Sequence, residues 1–302
     1  MTALFTGLSA FPLTPVTEDG VDEEAFTGLV ARLHQSEVDS IGALGSTGSY
    51  AYLSVGERAR VADLAVRAAD GTPVIIGIGA LSTADVLSNA ENAQNAGASA
   101  VLLPPMSYQQ LTEDEVYRLY AEVAAELSVP LCVYDNPGTT HFSFTEELHG
   151  RIAELPNVAA VKIPATPAEP LAARERVRAL RQRIPDHVAI GVSGDSAAAG
   201  GLLAGCDLWF SVLAGLWPEP CLAIARAAQR GDATEARRRS ERLTPLWDLF
   251  ARYGSVRVVA TIAERTGLAP APNLPRPLRS LTGEAATRLD EALRAVEYAA
   301  PR

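Results

Sequence analysis

Residues 130–163 read PLCVYDNPGTTHFSFTEELHGRIAELPNVAAVKI. Two apolar runs, Pro130–Tyr134 and Val158–Ile163, bracket an amphipathic stretch, Thr145–Leu155, with Ser143 placed to cap its start. Neither run alternates polar with apolar residues, so each fits a strand covered on both faces. The step of 28 residues from Tyr134 to Lys162 is the length of one strand–helix–strand unit.

The same unit recurs along the chain. Strands are expected at Leu4–Phe11, Ser40–Leu44, Pro73–Ile78, Ser99–Leu103, Pro130–Tyr134, Val158–Ile163, His187–Val192 and Leu208–Val212. Helices follow at Asp22–Gln35, Gly56–Ala69, Thr83–Ala96, Glu113–Leu127, Thr145–Leu155, Ala168–Arg183, Ser196–Ala204 and Glu219–Arg230. Asp22, Ser54, Ser82 and Thr112 stand at helix starts, and Gly97 and Gly205 follow helix ends. Eight such units predict an α/β fold, a (β/α)8 TIM barrel over residues 1–230. An open doubly wound sheet is the competitor, but FPLTPVTEDG stands where that fold carries a glycine-rich loop. Three further helical patterns, Ala233–Arg252, Val256–Arg265 and Gly283–Tyr298, with the Pro-rich loop Ala269–Pro277, predict a C-terminal helical extension over 231–302 in the same structural domain.

Composition narrows the function. The chain has 302 residues, 48% hydrophobic and 21% charged, with a formal charge of -10 and no basic stretch interleaved with aromatics, which argues against nucleic acid. No apolar run reaches the ~20 residues of a membrane helix, so no membrane partner is expected. The start lacks the pattern of a secretory signal, and three cysteines, Cys132, Cys206 and Cys221, have no metal-ligand spacing, so a cytoplasmic protein with reduced thiols is expected. Four scattered histidines offer no metal motif either.

Lys162 is the single lysine; the other 25 basic residues are arginine. An amine can shed its proton and attack a carbonyl, which a guanidinium does not do, and an apolar strand end favours the uncharged amine. Tyr134 ends the neighbouring strand, within reach as a proton shuttle, and the turn Gly45-Ser46-Thr47-Gly48-Ser49 after strand two offers hydroxyls and amides to a carboxylate. Singly, each has an ordinary reading: a rim lysine in an ion pair, a core tyrosine, a plain turn. Their joint placement on strands two, five and six, at the barrel's carboxyl face, favours a site.

These residues resemble the dihydrodipicolinate synthase and N-acetylneuraminate lyase family of class I Schiff-base aldolases. Its GxTGE loop, its YNxP tyrosine and its IK lysine are matched here by Gly45–Ser49, Tyr134-Asp135-Asn136-Pro137 and Val161-Lys162, with Ser193-Gly194-Asp195 and the opening Pro12–Pro15 also similar. The resemblance implies Lys162 as Schiff-base nucleophile, Tyr134 as general acid/base and Ser46 as proton relay. It implies Thr47 and Gly48 at the carboxylate of pyruvate or another 2-oxo acid, and Thr139, Ser193 and Phe210 as further substrate-binding positions. No cofactor or metal is implied, and a homo-oligomer is.

Three departures stand out. Thr139 occupies the place where a dihydrodipicolinate synthase carries an arginine for its second substrate's carboxylate. Ser49 replaces the loop's glutamate. The paired tyrosines after strand four read Met106-Ser107, with Tyr108 one place later. The expected function is therefore a lyase or aldolase joining a 2-oxo acid to an aldehyde derived from a sugar acid, held by Ser107, Tyr108, Thr139 and Thr140 in a pocket without a cation on that side. Alternatives are a 2-keto-3-deoxy sugar acid dehydratase, dihydrodipicolinate synthase proper, disfavoured by Thr139, and a non-catalytic barrel that senses a sugar acid.

Overall fold

The structure, a computed structural model, describes residues 3–297. Eight parallel strands close into a barrel: β1 (Gly7–Ala10), β4 (Ser40–Ala43), β5 (Val74–Gly77), β6 (Ala100–Leu103), β7 (Leu131–Tyr134), β8 (Val158–Ile163), β9 (Ala189–Ser193) and β10 (Leu208–Ser211). Each pairs with its sequence neighbour, and β1 closes the ring by pairing with both β4 and β10. The expected (β/α)8 barrel is therefore observed. The competing open sheet is not.

Around the sheet run α1 (Glu23–Gln35), α2 (Val55–Ala68), α3 (Thr83–Asn95), α4 (Glu113–Ala125), α5 (Pro137–Thr140), α6 (Glu146–Ala153), α7 (Pro170–Arg181), α8 (Ala198–Leu203) and α9 (Pro218–Gln229). Asp22, Ser54, Ser82 and Thr112 accept the hydrogen bonds expected of N-caps, and Ser54 and Thr112 complete capping boxes with Glu57 and Glu115. Ser143 does not cap α6; Thr145 does, its hydroxyl accepting the amide of Leu148 at 3.1 Å.

Most other ends shift by one to three residues, and two elements differ more. The first strand is shorter than Leu4–Phe11, because Ala3–Phe5 forms a 3-10 turn that carries the buried ring of Phe5 into the barrel interior. A small hairpin, β2 (Val16–Thr17) with β3 (Gly20–Val21), follows β1. The pattern Ala233–Arg252 is two helices, α10 (Ala233–Arg242) and α11 (Thr244–Tyr253), because Pro245 lacks the amide needed to carry one helix through. Then come α12 (Ser255–Thr266) and α13 (Gly283–Ala295); Tyr298 lies outside the described residues. Among the described residues no helix is long and apolar enough to cross a membrane.

Two apolar cores result. The larger lies between the sheet and its helices. The smaller fills the barrel, where the rings of Phe11 and Phe210 meet edge to face at 5.8 Å. Those rings lie across strands at glycines: a Cβ on Gly42 would sit 2.2 Å from the Phe11 ring, and one on Gly191 would sit 2.2 Å from the Phe210 ring. Gly42 and Gly191 thus leave the room that the two rings occupy in the barrel interior.

Candidate active site

Register places the central pair. β7 and β8 align Tyr134 directly with Lys162, after an irregularity at Leu131/Cys132 where Leu131 pairs with Val158 and Cys132 with Ala160. The amide of Asp135 then donates to the carbonyl of Lys162 at 3.0 Å, locking the two strand ends together. Lys162 is buried, 5% exposed. Its Nζ lies 4.1 Å from the ring centroid of Tyr134, 4.2 Å from that of Phe11 and 5.0 Å from that of Phe210. No carboxylate pairs with it among the described residues, so the ordinary reading of a rim lysine in an ion pair fails. Beside it, burial pushes the Cys132 thiol up to about 12, leaving that sulfur an inert part of the barrel core.

The phenol of Tyr134 has two partners. Ser46 Oγ lies 3.3 Å from it, and the side-chain Nδ2 of Asn136 donates to it at 2.8 Å. Ser46 stands on the turn after β4, where the amide of Ser49 donates to the carbonyl of Ser46 at 3.2 Å and Ser49 adopts φ 54°. Thr47 is buried on the same turn, and among the described residues the amides of Thr47 and Gly48 donate to no protein acceptor. Ser193 pairs with Phe210 in the sheet, and its hydroxyl donates to the carbonyl of Ile163 at 2.8 Å.

These groups open onto one cavity of about 500 Å³. Lys162, Tyr134, Ser46, Thr47, Thr139, Ser193 and Phe210 all line it; Gly48 does not. A Cβ on Gly48 would meet the backbone of Leu44 at 3.0 Å, so the glycine is packed behind the turn and faces the cavity only through its neighbours. Ser107, Tyr108 and Thr140, expected to hold the aldehyde, line a separate depression of about 370 Å³. The loop after β6 turns outward there, leaving Tyr108 90% exposed. A wider groove of about 850 Å³ lies between the β2–β3 hairpin and residues 271–282 and contains none of the residues that surround Lys162.

Some residues of the site gave no separate signal in the sequence. Phe11 covers the lysine, and Asn136 bonds the phenol. Trp247, Phe250 and Gly254–Arg257 form an outer wall from α11 and α12. Asn136 stood in the quoted YDNP segment and was open to discovery there; the outer wall was not, because helical spacing says nothing about which barrel end a helix covers.

The residue after Tyr134, Asp135, belongs to a buried pair. Asp135 Oδ2 is 3.5 Å from His149 Nε2, and Phe144 stacks on the imidazole at 4.8 Å. Burial pushes the carboxyl up to about 6 and the imidazole down to about 3. Both ring nitrogens and Asp135 Oδ1 lack a hydrogen-bond partner.

Residues 4–296 match the model of the dihydrodipicolinate synthetase family. The chain belongs to that family. Membership makes it a lyase of the class I, Schiff-base aldolase type, and the resemblance read from Gly45–Ser49, Tyr134 and Lys162 holds over nearly the whole chain. Among curated members of the dihydrodipicolinate synthetase family, a 4-hydroxy-tetrahydrodipicolinate synthase of Laribacter hongkongensis is 32% identical over 97% of this chain and 99% of its own. Another, from Alkalilimnicola ehrlichii, is 31% identical over 90% of this chain and 92% of its own. Among solved structures, a dihydrodipicolinate synthase from Agrobacterium tumefaciens is 45% identical, with a TM-score of 0.93 over 97% of this chain and 98% of its own. One from Acinetobacter baumannii, complexed with pyruvate, is 26% identical with a TM-score of 0.88 over 97% and 99%.

Proposed function

We propose that this chain joins pyruvate, or another 2-oxo acid, to an aldehyde through an imine on Lys162. The observation that supports this most is the aligned Tyr134–Lys162 pair with Ser46 on the phenol. Lys162 Nζ adds to the ketone carbon, and the carbinolamine loses water to give an iminium. Tyr134, left as phenolate when its proton departs with that water, takes a proton from the methyl carbon to give the enamine, and the positive nitrogen takes up the electron pair. The enamine carbon attacks the aldehyde carbon, and the new alkoxide takes a proton from Tyr134, which recovers one along Ser46. Water then cleaves the iminium, restoring the amine and releasing product. Cleavage is the same sequence reversed. The free amide and hydroxyl of Thr47, which lines the cavity, suit the 2-oxo acid's carboxylate.

Within that chemistry the aldehyde is a matter of the outer wall. Thr139 lines the cavity where an arginine would grip a carboxylate, the feature that disfavoured dihydrodipicolinate synthase proper; the names of the curated relatives favour it. A sugar-acid dehydratase would use the same imine and is told apart by a retained carbon skeleton. Because α11 and α12 wall the cavity, residues 231–302 and the barrel of 1–230 are read as one structural domain. Exposed Tyr52, Leu81 and Tyr108, on loops after three successive strands, support a homo-oligomer, and three buried free cysteines support a cytoplasmic setting.

The test is incubation with pyruvate and borohydride followed by intact mass and peptide mapping. One reduced adduct at Lys162 is expected. An adduct confined to Met1, or none with any 2-oxo acid, refutes the imine and leaves a non-catalytic binding barrel as the reading.

A further inference from the structure

The outer wall carries a positive charge, although the Thr139 side of the pocket has none. Arg257 lines the cavity in the first turn of α12. It is the only arginine among the lining residues, and Asp195 is the only carboxylate. Asp195 is committed inward: it is buried and accepts from Trp209 Nε1 at 3.0 Å, Val212 N at 3.2 Å and Leu213 N at 2.8 Å. Arg257 has no such commitment. The one hydrogen bond of its guanidinium runs from Nη1 to the carbonyl of Tyr253 at 3.4 Å, and among the described residues it joins no ion pair. Most of its five donors are therefore open toward the cavity or solvent.

We propose that Arg257 determines second-substrate specificity by holding a distal carboxylate, so that the site takes aldehydes that carry one. This rests on the reading that a 2-oxo acid is tethered at Lys162. A three-carbon acid tethered there has a single carboxylate, for which the turn carrying Ser46 and Thr47, on a different element from Arg257, already offers a free amide and hydroxyls. The cation on α12 is thus left for the other reactant. Guanidinium geometry suits a carboxylate bidentately, which a hydroxylated neutral aldehyde cannot exploit. Thr139 and Arg257 belong to different elements of one cavity, so the carboxylate contact missing at α5 is supplied from α12.

Steady-state kinetics with excess pyruvate compare aspartate semialdehyde with butanal for the native chain, R257Q, R257K and R252Q; Arg252 is an exposed neighbour that does not line the cavity. The native chain prefers the carboxylated aldehyde. R257Q lowers that kcat/KM ratio at least about tenfold, chiefly through KM, R257K restores part of it, and R252Q leaves it within about twofold. A native preference for butanal, or an R257Q ratio within about twofold of native, overturns the proposal. Calorimetry of succinate against succinamide on the pyruvate-loaded enzyme asks the same question without turnover: a succinate preference undiminished in R257Q also overturns it. Borohydride trapping on each variant keeps the two readings apart. Loss of the adduct strikes the imine, whereas an intact adduct with an unmoved ratio strikes Arg257 alone.

Discussion

Lys162 and Tyr134 stand at strand ends of a closed sheet and Ser46 on the turn directly after β4, whereas Thr139 and Arg257 stand on a four-residue helix and on the first turn of α12. On the floor, position follows from sheet register: strands ~4.8 Å apart fix which side chains are neighbours, and a slip of one residue would turn the lysine away. On the wall, position follows from how helices lean over the barrel mouth, where α11 packs on the turn Asp195–Ala197 after β9. The floor sets which bond is made. The wall sets which partner is taken, and it can change without disturbing the chemistry beneath.

That division is open to direct attack. The largest effect belongs to Lys162→Arg, which keeps charge and length but removes the nucleophile; turnover falls by on the order of 10⁵-fold with every aldehyde, as expected for loss of a group that acts through a covalent intermediate. Far-UV circular dichroism shows the fold retained. A rate within tenfold of native would end the floor's claim. Next, Tyr134→Phe lowers kcat by roughly 10²–10⁴-fold, the scale of a positioned acid/base, and Asn136→Ala, which deletes one hydrogen bond to the phenol, lowers it by about tenfold. Both leave the ratio between carboxylated and neutral aldehydes near its native value. If either shifts that ratio as far as a change at Arg257 does, floor and wall are not separable.

The smallest effect is one of stability. Burial raises the Asp135 carboxyl to about 6, so its ionisation as pH rises through that value weakens the folded state. Asn at 135 cannot ionise. D135N therefore melts above the native chain at pH 8, by about 2–4 °C for each kcal/mol gained, and the gap closes as pH falls through about 6 toward the ordinary carboxylate range. His149, held down to about 3, acts oppositely between the ordinary imidazole value and that point. Making the comparison in an H149Q background removes that contribution from both chains. Scanning calorimetry from acid to pH 8 checks this, and a gap independent of pH contradicts it.

The barrel and the floor were legible because both depend on short-range patterns. Apolar runs such as Val158–Val161 and Ala100–Leu103 declare doubly covered strands, and the spacing of Tyr134 and Lys162 declares adjacency. What escaped depends on packing between distant segments. Nothing near Phe11 announces that it will cover a lysine 151 residues on, with Gly42 cleared beneath it. The outward turn of the loop at Ser107 and Tyr108 and the break at Pro245 decide which side chains reach the mouth. Thr139 leaves its own loop without a cation, and the sequence leaves open that an arginine from another element reaches in; the arginine that lines the cavity, Arg257, stands on α12.

The solitary lysine has a further consequence, for proteolysis. An endoprotease that cleaves only after lysine has one bond to cut in 302 residues, giving fragments 1–162 and 163–302. That bond lies in β8, paired on one side to β7 and on the other to β9, so the native barrel hides it. Appearance of the two fragments therefore counts openings of the barrel wall, one molecule at a time. A 2-oxo acid joined to the amine would mask the recognised side chain and hold the wall shut, turning a digestion gel into a gauge of site occupancy.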